Sequence, residues 1–145
     1  MGDEGTRARL LYECGLGICL ADQGRLRESE ELFRRLLTEL RDTVGEYDPL
    51  TIDAQHELGA ALVFQGKLDE AVEVYREELE LCHRVYGELH PFTIGTADQL
   101  VAAAVGSIRR VGGGAARPDR AGVQRARRRS SQRDPLARED RRTLP

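Results

Sequence analysis

The chain of 145 residues has no tryptophan, one methionine (Met1) and seven aromatic residues, none after Phe92. Lysine is equally scarce: of 22 basic residues, all but Lys67 are arginine. No apolar run reaches 18 residues, which excludes a transmembrane helix. The start, Met1-Gly2-Asp3-Glu4, is acidic and lacks the basic opening and apolar core of a secretion signal. The three cysteines, Cys14, Cys19 and Cys82, form no Cys-x-x-Cys pair, and no His ligands are closely spaced, so structural zinc is not expected. Cys14 and Cys19 stand five apart and diverge on a helix; the cysteines read as reduced, cytosolic, buried thiols. Gly112-Gly113-Gly114 lacks the Gly-Lys-Ser/Thr that completes a phosphate loop. Nothing pairs a nucleophile with a base and an oxyanion hole. We therefore assign no catalytic, cofactor-binding or metal-binding residue and expect no enzyme.

What is present is a repeat. Gln23-Gly24-Arg25-Leu26 recurs 42 positions later as Gln65-Gly66-Lys67-Leu68, and Tyr47-Asp48-Pro49-Leu50-Thr51 recurs as Leu89-His90-Pro91-Phe92-Thr93. A fixed period of this size marks a supersecondary unit that buries its core against its neighbours. Apolar spacing predicts helices over about 7–23, 27–44, 49–65, 69–86 and 92–105. The first reads as largely buried through Leu10, Leu11, Leu16, Ile18, Cys19 and Leu20. In the second, Leu32, Phe33, Leu36, Leu37 and Leu40 face inward, while Glu30, Glu31, Arg34, Arg35 and Glu39 form a solvated side. In the fourth, Val72, Val74, Tyr75, Leu79 and Cys82 face inward, and Glu77, Glu78 and Glu80 read as solvated. Asp48, Asp69 and His90 are the expected helix caps, and Gly24 an αL stop.

Charge divides the chain. Residues 1–100 hold 21 acidic and 10 basic side chains, residues 101–145 hold 4 and 12. The repeat fails at Ser107-Ile108, where the next Gln-Gly is due. We read 107–145 as a disordered Arg/Gly-rich tail with too little apolar area to offset ordering entropy. The abrupt change also matches an altered reading frame in GC-rich DNA, and the arginine-rich composition points to a bacterium. A nucleic-acid-associated protein using this tail is the alternative function. Missing aromatic interleaving and the acids Asp134, Glu139 and Asp140 argue against it.

Each period carries Leu-Gly-x-x-Leu, a turn, then a small residue four positions before an aromatic: Leu16-Gly17, Leu20, Ser29 and Phe33, then Leu58-Gly59, Leu62, Ala71 and Tyr75. The pattern resembles the tetratricopeptide repeat. The period of 42, the Asp/His-Pro-x-Thr opening and the Gln-Gly-Arg/Lys-Leu turn look like the kinesin-light-chain-type subclass, common in bacterial multidomain regulators. The implied fold is all-α, a right-handed α-solenoid of antiparallel hairpins over 7–106. Repeat one covers about 7–47, repeat two 48–89, and a half repeat 90–106. Gly17 and Gly59 then admit the paired helix, with Phe33 and Tyr75 filling the space beside them.

The resemblance implies a protein-binding scaffold in the cytoplasm, a helper module or a piece of a larger regulator. Its concave face, transferred by position, comprises Leu11, Cys14 and Ile18, then Asp53, His56, Ala60 and Val63, then Asp98. These would form a groove for an apolar helix or extended peptide, with Asp53 and Asp98 selecting a basic group. The Lys and Asn of the carboxylate-clamp variety are absent, since Cys14 and Ile18, and His56 and Ala60, stand there. With the fifth helix as sole cap, the bare Val101-to-Val105 face predicts marginal stability or self-association.

Overall fold

The computed structural model describes residues 4–111. Five helices follow in order: α1 (Glu4–Asp22), α2 (Leu26–Thr43), α3 (Pro49–Phe64), α4 (Leu68–Tyr86) and α5 (Pro91–Val111). Each packs on the next, and α1 also touches α3. No strand occurs among the described residues. The fold is an all-α helical repeat.

Local chemistry explains the reversals. Gly24 and Gly66 take φ of 83° and 78°, a region open to glycine without a Cβ clash. Arg25 N–H donates to Leu20 O and Gly24 N–H to Ala21 O; Lys67 N–H to Leu62 O and Gly66 N–H to Val63 O repeat the pair. This is a Schellman cap, which satisfies carbonyls that the helix end leaves open. The other turn has its own lock. Asp48 Oδ1 accepts from Leu50 N–H at 2.9 Å, and His90 Nδ1 accepts from Phe92 N–H at 3.1 Å, so both act as the expected caps. Thr51 Oγ1 donates to Gly45 O, and Thr93 Oγ1 to Gly87 O, each at 2.7 Å. Threonine in the motif thus ties the new helix to the turn behind it.

The two glycine–aromatic pairs form as expected. A Cβ at Gly17 would lie 2.6 Å from the Phe33 ring, and one at Gly59 would lie 2.6 Å from that of Tyr75. Both rings are buried. Around them Leu10, Leu36, Leu37, Leu40, Leu50, Leu58 and Leu62 make one core through both repeats. A smaller cluster of Ile52, Leu81 and Cys82 sits beside it.

Four expectations need correction. In α1 only Leu10, Cys14 and Gly17 are buried, while Leu11, Leu16, Ile18 and Cys19 are exposed. In α3 the counterparts of Leu16 and Cys19, Leu58 and Ala61, are buried, and Leu58 packs in the core with the leucines of α2. No helix among the described residues precedes α1 to do the same. Glu30 and Glu78, assigned to solvated sides, are buried at 8% and 2% exposure. Asp69 is not a cap: α4 begins at Leu68 with Lys67 at the cap position and no side-chain cap bond. Finally, α5 does not stop near Val105. Ile108 stands where glycine would turn the chain, and the helix runs on to Val111. Gly106 packs beside Leu68, Ser107 Oγ donates to Asp69, and Arg110 donates to Gly66 O. Residues 107–111 are therefore helical; the remainder of the expected tail, 112–145, lies outside the described residues.

Candidate partner-binding face

The expected face draws on α1, α3 and α5. On α1, Leu11 (61% exposed) and Ile18 are open to solvent, while Cys14 is buried in the core. On α3, Asp53 is exposed, His56 and Val63 are half-buried, and Ala60 is buried. On α5, Asp98 is exposed. Leu11, Ile18, Asp53 and Asp98 are thus exposed, whereas Cys14 and Ala60 are packed. Helix spacing accounts for the division. Leu11 and Ile18 share one flank, about 90° around from the buried line through Leu10, Cys14 and Gly17.

The electrostatics of the face are acidic. Crowding desolvates the Asp53 carboxyl and pushes its pKa up; His56 opposes the shift, and Glu57 and Glu78 add repulsion. The carboxyl stays accessible, so a cation arriving beside it would relieve that repulsion without displacing a packed side chain. Burial pushes the Cys14 thiol up to about 11, with Asp53, Glu13 and Glu57 reinforcing it, so it is protonated at neutral pH and a poor nucleophile. Among the described residues no cluster of His, Cys, Asp and Glu is arranged to hold a metal ion.

Under the face lies a polar network that sequence reasoning missed. Glu78 Oε1 sits 2.9 Å from His56 Nδ1 and accepts from Thr96 Oγ1 at 3.0 Å. A carboxylate only accepts, so Nδ1 carries the hydrogen. The same Thr96 hydroxyl lies 2.9 Å from Phe92 O, so its one hydrogen is shared between the two acceptors, and Cys82 Sγ lies 3.8 Å from it. Three helices, α3, α4 and α5, are joined at one buried carboxylate, and the His56 ring is held in place on the face. The signal was available: Ala71, Tyr75, Glu78 and Cys82 follow the 4-3-4 spacing of a single buried helix line. Glu30 plays the matching part between repeats. It takes hydrogen bonds from Lys67 Nζ at 2.9 Å, Gln65 Nε2 at 2.8 Å and Arg34 Nε at 2.9 Å.

No helix among the described residues is long and apolar enough to cross a membrane. No curated protein matches the chain. The tetratricopeptide repeat model matches residues 6–82. That span runs from α1 to the last turn of α4 and takes in both Schellman turns and both glycine–aromatic pairs, so the chain belongs to the tetratricopeptide repeat family, whose repeats generally mediate protein–protein interactions.

Proposed function

We propose that the chain is a non-catalytic scaffold that binds a peptide or helix of a partner protein on the first-helix face of its repeats. The carrying observation is the open set Leu11, Ile18, Asp53 and Asp98 on helices that pack through other sides. Aliphatic side chains beside unneutralised carboxylates fit a segment that alternates apolar and basic residues. The 42-residue period and the Pro-x-Thr turns support the kinesin-light-chain-like subclass, the arginine bias supports a bacterial source, and the three free cysteines support a cytoplasmic setting. The nucleic-acid alternative depends on residues beyond Val111, outside the described part, and no observed geometry favours it.

A displayed peptide library selected on the intact chain tests the reading. Enriched peptides should carry Arg or Lys among apolar residues. They should lose at least tenfold in affinity against Asp53→Arg/Asp98→Arg, with circular dichroism unchanged. No enrichment, or peptides indifferent to both substitutions, would sink the proposal.

A further inference from the structure

The end of the array offers a second surface, apart from the first-helix face. On α5, Ile94, Val101 and Ile108 recur every seven residues, and Ala97, Ala104 and Val111 follow each by three. These are the a and d positions of a heptad. Ile94, Val101, Ile108 and Val111 are exposed, with Val101 at 61% and Ile108 at 73%. Arg110 is turned back to Gly66 O, and the only acidic side chain on the helix is Asp98, at the edge of the seam.

We propose that this seam pairs with α5 of a second copy of the chain, the two helices antiparallel about a two-fold axis between the Val101 and Ala104 layers. In this register the inner layers match bulk to space and the outermost pairs two branched side chains. Val101 meets the mate's Ala104, Ile108 meets its Ala97, and Ile94 meets its Val111. The pattern is therefore self-complementary, as an isologous contact requires. A following helix of the same chain is disfavoured by Val101 itself. It stands 42 positions after Gly59, where an added Cβ would lie only 2.6 Å from the Tyr75 ring. A valine closes that slot, so a helix docking as α2 and α4 do would strike it. Ile108, standing where the earlier turns have glycine, keeps α5 helical as far as Val111.

Twelve aliphatic side chains across the pair place the contact near the lower end of specific interfaces, about 1,000 Å², so a reversible dimer is expected. Sedimentation of the full chain should show the mass rising from 16.2 kDa toward twice that value with concentration. Val101→Asp and, independently, Ile108→Asp alter exposed positions and should each weaken pairing at least tenfold while leaving helicity intact. In a Cys19→Ser background, Ile94→Cys mixed with Val111→Cys should form the mixed disulfide under mild oxidant, and Ile94→Cys alone should not. Three results would overturn the proposal: a monomer at every concentration, with the seam covered by the chain's own residues; a dimer indifferent to both aspartates; or open-ended growth, the mark of head-to-tail stacking on α1.

Discussion

At Glu30, burial raises the pKa, and hydrogen bonds from Lys67, Arg34 and Gln65 more than reverse it, holding the group at about 2 against an ordinary 4.5. A depressed carboxylate stabilises the fold above its unfolded pKa and loses that contribution as pH falls toward its folded one. Between pH 4.5 and 2 the repeat-to-repeat contact should therefore weaken. Glu30→Gln should cost about 2 kcal/mol at pH 7, after allowance for the partly exposed Lys67, and almost nothing near pH 2. Urea titrations at the two pH values would measure the difference. Gly59 tests steric fit instead. Alanine gains about 1 kcal/mol in helix propensity but forces the buried Tyr75 ring aside, which typically costs 1–3 kcal/mol, so Gly59→Ala should be destabilising overall. Adding Tyr75→Leu should cost less in that variant than in the parent, a coupling that a double-mutant cycle reads directly.

Helix by helix, glycines divide by surroundings. Gly15 and Gly95 lie inside α1 and α5 with nothing within 4 Å of an added Cβ. Gly15→Ala and Gly95→Ala should each raise stability by up to about 1 kcal/mol in thermal melts. Thr93→Val should act oppositely, losing the bond to Gly87 O and about 1 kcal/mol. Reversals, caps and glycine–aromatic pairs were legible in the sequence because each is written within a few residues and then written again. Glu30 and Glu78 were not, because residue type was weighed above their register on the helix. The open sides of α1 and α5 were harder still: Leu16 and Cys19 have the composition of a core, and only a neighbouring helix makes them one. On the candidate face, helix spacing sets Leu11 and Ile18 on a flank apart from the packed line of Leu10 and Cys14. The sequence reading grouped them together because all are apolar. It could not show that Glu78 reaches under His56 from another helix.

Across the whole molecule, burial is uneven: α3 has neighbours on both sides and buries residues along its length from Leu50 to Leu62, whereas α1 buries three. Linear arrays lose their ends first. Amide exchange should show α1 opening at least tenfold more readily than α3, about 1.4 kcal/mol or more in opening free energy. Equal protection would mean that the array melts as one block. The left-handed glycines Gly24, Gly45, Gly66 and Gly87 stand at even intervals of 21 residues, a ruler laid along the chain. A ruler can be cut at its marks. Copying residues 46–87 and splicing the copy in after Gly87 should add one hairpin and leave every existing contact in phase. Dropping a single residue within the copied α3 turns all later side chains by about 100°, and that graft should fail to fold. The protein can be lengthened by whole units and by nothing in between.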